Sequence, residues 1–265
     1  MNLLDEVDKI KKDGYSEANA EAKLCQDIII KAISQSSLNR NVTIKGGVVM
    51  CSLSKNARRA TQDLDLDFIR YSISEESIGI FIENLNCIEG IRLRMLAPIE
   101  ELKHQDYKGK RTHIEISDDT GNILSLKMDI GVHKDLDIKQ EEYCFDVCFQ
   151  EDSASVLINS REQMITEKLK SLMRFGTRST RYKDVFDICY LSDLVDMKKL
   201  RFCIQKYIYA DTTIEVNDAD EIRKRAERIF TSSTYKRQVE RSKKNWLDMS
   251  VEEVLKKDLE FINKV

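Results

Sequence analysis

Between Asp63 and Phe68 the chain reads Asp-Leu-Asp-Leu-Asp-Phe, an alternation of acidic and apolar residues with a period of two. Successive side chains of a β-strand point to opposite faces, so Asp63, Asp65 and Asp67 share one face and Leu64, Leu66 and Phe68 the other. One face is core, and the other collects negative charge. Like charges at alternate positions repel by roughly several tenths of a kcal/mol each, so the row is favourable mainly beside a cation. Mg²⁺ suits it, because this hard ion takes one or two carboxylates and leaves its other positions to water and phosphate. The alternative is an edge strand whose solvated polar face blocks aggregation and binds nothing.

The preceding residues favour the first reading. Thr43 to Gly47 reads as a short strand ending in the pair Gly46-Gly47, and Val48 to Ser54 as the start of a helix with Val, Met and Leu on its buried side. Backbone N–H groups at such a turn and helix N-terminus form an anion site suited to a triphosphate. Phosphate donors and metal ligands would then come from adjacent elements.

The rest of the chain narrows the class. At 265 residues, 42% hydrophobic and 34% charged, it has enough apolar surface for one large or two modest domains. Its apolar runs are only a few residues long, far short of the roughly 18 needed to span a membrane. The acidic, helix-patterned start from Met1 to Asp8 has neither the basic nor the apolar region of a signal peptide, which leads to the expectation of a cytoplasmic protein. The cysteines are odd in number, scattered and without a C-x-x-C pair, as expected of reduced thiols; Cys144 and Cys148 read as sharing a packed face of a strand over Tyr143 to Phe149. His104, His113 and His133 lie in separate segments, without zinc spacing or a partner for a Ser/His/Asp triad.

Short apolar runs at Ile91 to Leu96, Arg111 to Ile116, Ile123 to Gly131 and Tyr143 to Phe149 predict strands. After Ser160 the period becomes helical, through Ile165, Leu169, Leu172 and Met173 and then Val185, Ile188, Cys189 and Leu191. The predicted division is an α/β domain over residues 1–158 and a helical domain over 159–265. Charge divides there too. The net charge is −3, yet Ser160 to Ser250 carries 20 Lys and Arg against 14 Asp and Glu, an excess of +6. Its densest stretch runs from Arg223 to Lys244 and includes Arg237 and Arg241, with Tyr235 and Trp246 available to stack on bases. That pattern suits a nucleic acid, against the alternative of a solvated helix face.

Two further groups carry chemistry. Asp129 sits inside an apolar strand, where an unpartnered carboxylate is costly, so it is expected to face a cation or a proton-accepting site. Lys168 lies on one predicted helix, and Asp184 and Asp187, three apart, share a face of the next. Lys168 can meet both across a helical hairpin, as part of a site or as a buried structural ion network.

In this order the residues resemble the AbiEii-type nucleotidyltransferases, toxins of bacterial toxin–antitoxin pairs within the polymerase-β-like nucleotidyltransferase superfamily. The resemblance runs from about Thr43 to Leu191. Gly46-Gly47 with Arg59, Thr61, Asp63 and Asp65 looks like the first motif, although Gly47 offers no hydroxyl to phosphate, and the third carboxylate falls on Asp129. The basic motif falls on Lys168, with Arg174 downstream, and the last motif on Lys183-Asp184-Val185-Phe186-Asp187. The resemblance implies an α+β fold, a mixed sheet with flanking helices followed by a helical C-terminal part. It implies transfer of a nucleoside monophosphate from an NTP to an acceptor hydroxyl, with Asp63, Asp65 and Asp129 holding Mg²⁺ and Asp129 helping to deprotonate the acceptor. A shifted metal pair of Asp65 and Asp67 stays open. Gly46, Gly47, Arg59, Thr61, Lys168, Arg174 and Asp187 would contact nucleotide, Lys168 and Asp184 would serve catalysis, and Arg223, Arg237, Arg241 and Lys244 would hold nucleic acid. The implied acceptor is the tRNA acceptor end, with aminoacylation blocked, and the implied partner is a cognate antitoxin in a phage-defence setting. The competing readings are a small-molecule or protein nucleotidyltransferase and a non-catalytic Mg-NTP-binding regulatory module.

Overall fold

The computed structural model describes residues 1–96, 98–102 and 109–265, so His104 lies outside the described residues. The chain forms two compact units, Met1–Asn159 and Ser160–Val265.

The acidic-apolar alternation does form a strand, β2 (Asp63–Phe68), and Leu64, Leu66 and Phe68 are fully buried. The Phe68 ring meets Phe81 edge-on at 5.0 Å between centroids, so helix α4 (Glu75–Asn84) seals part of the apolar face. Contrary to the edge-strand alternative, β2 lies inside the sheet, antiparallel to β1 (Val42–Lys45) on one side and parallel to β6 (Ile123–Val132) on the other. The remaining strands among the described residues are β3 (Ile91–Met95), β4 (Glu100–Leu102), β5 (Gly109–Asp118), β7 (Glu141–Phe145) and β8 (Ala154–Ile158). Their order is β3-β5-β6-β2-β1-β8-β7, with β4 paired to β5, and the β1–β8 pair is also parallel. This is a mixed sheet in an α+β unit.

Helix α1 (Leu3–Lys12) is capped by Asn2, and helix α2 (Glu17–Gln35) packs across β6 and β8. α2 buries Leu24, Cys25, Ile28, Ile29, Ile30 and Ile33 completely, roughly 1.5–3 kcal/mol for each large aliphatic side chain. Helix α3 (Gly46–Ser54) follows β1 without a loop.

One strand is shorter than its apolar pattern predicts. β7 ends at Phe145, so Cys148 lies beyond the ladder, and its backbone N–H donates to Asp27 Oδ2 at 2.9 Å. A buried carboxylate on α2 has taken the amide that continued pairing would need. Cys144 and Cys148 are both exposed and share no packed face.

The second unit is helical among the described residues: α5 (Arg161–Phe175), α6 (Tyr182–Leu191), α7 (Met197–Ile204), α8 (Ala219–Phe230), α9 (Ser233–Arg241) and α10 (Val251–Ile262). Its helix starts are written locally. Ser160, Asp196, Asp218, Ser232 and Ser250 each accept a hydrogen bond from a first-turn N–H, and Ser250 with Glu253 completes a capping box. Each such cap is worth about 1 kcal/mol. The core of the unit takes in Tyr235 and Trp246, at 0% and 2% exposure. Both expected base-stacking aromatics are therefore packing residues, the Tyr235 ring near Tyr182 at 6.4 Å and the Trp246 ring near Tyr190 at 5.2 Å between centroids, with both partner tyrosines on α6.

Candidate active site

Strand register assembles the acidic face. Lys45 on β1 is opposite Asp65, Asp65 is opposite Asp129 on β6, and Asp129 is opposite Arg111 on β5. Register partners share a sheet face, so four strands present a row of cation, carboxylate, carboxylate and cation. Asp63 is likewise beside Lys127, whose Nζ lies 2.8 Å from Asp63 Oδ1.

The carboxylates carry protein cations. Arg111 donates from Nε to Asp129 Oδ1 at 2.7 Å and from Nη2 to Oδ2 at 2.8 Å, the two-pronged geometry that makes such pairs strong. That hydrogen bond, backed by the charges of Asp129 and Asp63, holds the Arg111 guanidinium above its ordinary pKa against the opposing effect of burial. Lys45 Nζ reaches Asp67 Oδ1 at 2.6 Å, and Asp67 is only 4% exposed. The cation expected beside Asp129 is therefore Arg111, which no local pattern marked; it is brought there by the pairing of β5 with β6.

The glycine pair is fitted to the same face. Gly46 has φ +69°, in the left-handed region, and a Cβ there would stand 2.5 Å from Asp65 Oδ2. A Cβ on Gly47 would stand 2.7 Å from Thr61 Cβ. Gly46, Gly47, Thr61 and Asp65 are thus brought together. Lys45, the residue before α3, makes no side-chain cap, so α3 begins with first-turn amides of the kind that receive anions. Arg59, in a 3₁₀ turn over Ala57–Arg59, is 3% exposed and stands inside the unit.

Sequence reasoning missed Gln26. It is 3% exposed on α2, and its Nε2 donates to Thr61 O at 2.9 Å and Asp63 O at 3.2 Å, fixing the chain that enters β2. Its signal was available: Gln26-Asp27 interrupts the apolar run of Leu24-Cys25 and Ile28-Ile29-Ile30.

Among the described residues no group of three or more His, Cys, Asp or Glu is arranged to hold a metal. The donor set nevertheless suits a hard divalent ion. Asp65 and Asp129 are neighbouring oxygen donors on one face, and a Cβ at Gly46 would fill the space against Asp65. The competing arms of Lys127 and Arg111 are long side chains, each 31% exposed, able to swing aside.

In the C-terminal unit α5 and α6 bring Lys168 to Asp184 and Asp187. Lys168 Nζ donates to Asp187 Oδ2 at 2.6 Å and to Asp184 Oδ1 at 3.1 Å. Asp187 is fully buried, and its Oδ1 accepts from Trp246 Nε1 at 3.1 Å. Arg174 pairs with Asp211 at 2.9 Å and reaches Thr213 Oγ1 at 3.2 Å. Hydrogen bonds from Lys170 and Thr213 hold the Asp211 carboxyl down at about 2, although burial opposes them. Arg223 pairs with Asp220, while Arg237, Arg241 and Lys244 project from α9 and the turn after it and are exposed.

A mixed sheet with flanking helices, followed by a helical unit, is the architecture of a nucleotidyltransferase. The chain matches the family model described as nucleotidyl transferase AbiEii toxin, type IV toxin–antitoxin system, over residues 28–261. It belongs to that family, whose members are toxin enzymes that use an NTP and are paired with an antitoxin. No curated protein matches it. No described helix is long and apolar enough to cross a membrane.

Proposed function

We propose that the protein transfers a nucleoside monophosphate from an NTP to the acceptor end of a tRNA in a Mg²⁺-dependent reaction, blocking aminoacylation. The observation that carries this reading is the placement of Asp65 beside Asp129 on adjacent parallel strands, with the backbone of Gly46 against Asp65.

The first-turn amides of α3, which begins at Gly46 and Gly47, receive the triphosphate, and the missing side chains let it approach the backbone. Asp63 and Asp65, with Asp129, are the residues that hold Mg²⁺. When bound, the ion offsets triphosphate charge and the charge that develops on the leaving pyrophosphate. Asp129, released from Arg111, accepts the proton of the acceptor hydroxyl. That oxygen forms a bond to the α-phosphorus as the bond to the β-phosphate oxygen breaks, and pyrophosphate departs. Arg111, freed by the same movement, meets phosphate charge.

The burial of Asp67 favours Asp63 and Asp65 as the metal pair. In the C-terminal unit the proposal assigns Lys168, Asp184 and Asp187 to a buried ion network, and Arg223, Arg237, Arg241 and Lys244 to the acceptor. An antitoxin partner and action in the cytoplasm belong to the same reading.

The test is incubation of the purified protein with each α-labelled NTP, Mg²⁺ and total tRNA. Label should enter tRNA with one NTP or more, require Mg²⁺, and disappear in Asp63→Asn and Asp65→Asn. The Asp63–Lys127 pair is partly exposed and reachable by water, so Asp63→Asn should change stability by less than about 1 kcal/mol. Label on protein, or wild-type turnover by either variant, refutes the acceptor or the site respectively.

A further inference from the structure

Within the C-terminal unit, a cleft of about 410 Å³ opens between the end of α5, the turn after it and α8. Four arginines line it, Arg174, Arg178, Arg225 and Arg228, and no acidic residue does. Two of the four are engaged in structure. Arg174 pairs with Asp211, and Arg225 donates to Ile214 O at 2.9 Å, Glu215 O at 2.8 Å and Met173 O at 3.3 Å. By binding Met173 O, Arg225 offsets the partial negative charge at the C-terminus of α5.

The other two are free. Among the described residues, Arg178 and Arg228 are exposed and their side chains make no ion pair or hydrogen bond. Two like charges held at one cleft without a counter-ion repel, which is an arrangement suited to an anion from outside. Three features sharpen the chemistry. Ser232, the residue before α9, also lines the cleft and places the positive end of that helix there. Thr177 supplies a hydroxyl. Phe175, 48% exposed, puts an open aromatic ring on the cleft wall. Charge for phosphates beside an exposed ring is the combination that holds single-stranded nucleic acid.

We propose that this cleft binds the sugar-phosphate backbone of a single-stranded RNA segment, with phosphates on Arg178 and Arg228 and a base against Phe175. This deepens the reading of a tRNA acceptor, whose single-stranded end has that chemistry, and it adds residues outside Arg223, Arg237, Arg241 and Lys244.

The experiment is fluorescence anisotropy of a short labelled single-stranded RNA with the full-length protein, without NTP, over a range of salt concentrations. The double substitution Arg178→Ala with Arg228→Ala should weaken binding at least tenfold. It should also flatten the log-log salt slope by about 1.4, two single-strand phosphates at about 0.7 each. Arg178→Lys with Arg228→Lys keeps the charge and should retain most of that slope, which separates lost contacts from lost folding. Phe175→Ala should weaken binding about tenfold and leave the slope unchanged. Unchanged affinity and slope in the double alanine variant overturn the proposal. So does a Phe175→Ala variant that binds normally while inorganic tripolyphosphate competes as well as RNA, because the cleft is then a phosphate site only. Asp65→Asn should bind RNA as the wild type does, so a failure of nucleotide transfer leaves this measurement able to stand.

Discussion

Replacing Lys168 by Met should cost the C-terminal unit about 3–5 kcal/mol, because it leaves two carboxylates in the core without their cation. Lys168 is 9% exposed, Asp187 is 0% exposed, and the second oxygen of Asp184 is buried with no hydrogen bond among the described residues. Asp187 and the buried oxygen of Asp184 cannot recover the lost partner from water without opening the packing of α5 on α6. With a urea dependence of about 2 kcal/mol per M, the unfolding midpoint should fall by about 1.5–2.5 M. The chain supplies its own probe. Trp246 is the sole tryptophan, is buried, and donates to Asp187, so its fluorescence reports the unfolding of this unit at the network itself. Neutralising the whole cluster, with Lys168→Met, Asp184→Asn and Asp187→Asn together, should recover most of the loss, since the penalty lies in the abandoned charge. A Lys168→Met midpoint within about 0.5 M of wild type would refute the reasoning, since the expected loss is several times larger. Nucleotide transfer measured on the same samples separates scaffold from chemistry: loss of turnover with unchanged stability would return Lys168 to the reaction.

Three other perturbations follow from the same reasoning. Asp258 is fully buried with neither oxygen hydrogen-bonded among the described residues, and burial, only partly opposed by Lys257, holds its carboxyl well above the ordinary range. The folded state thus keeps a proton that the unfolded chain loses, so from about pH 4 upward this group lowers stability by up to about 1.4 kcal/mol per pH unit until its folded pKa is reached. Asp258→Asn should remove that slope and stabilise the protein at neutral pH; an unchanged pH profile of unfolding would count against the assignment. Gly46→Ala should lose about 1–2 kcal/mol from its left-handed backbone alone, and NTP affinity as well, because the new Cβ collides with Asp65. Calorimetric titration with Mg-NTP checks it, and wild-type affinity would show that the start of α3 does not receive the nucleotide. Gln26→Leu removes both hydrogen bonds to the chain entering β2 and should cost about 1–3 kcal/mol with reduced transfer, whereas full activity and stability would deny it a positioning role.

What the sequence determined by itself was local. A two-residue period makes Asp63 to Phe68 a strand with one acidic face, whatever surrounds it, because alternation is a property of the extended backbone. Helical spacing and small polar caps wrote the helices after Ser160 in the same way, and the spacing of Lys168, Asp184 and Asp187 was enough to suggest their meeting. Tertiary structure decided which charges face one another. Asp65 gained Asp129 as its neighbour through the register of β2 with β6, two strands distant in the chain, and Asp129 gained Arg111 across the β5–β6 hairpin; that register is set by the burial of the apolar sheet face and by the hairpin turn, not by the residues beside each carboxylate. The same holds for exposure. Tyr235 and Trp246 look like surface aromatics in a basic stretch, yet packing encloses them, while Phe175 is left open beside two unpaired arginines. Periodicity says which residues share a face, but only the packed chain says whether that face meets water, and a site is made where it does.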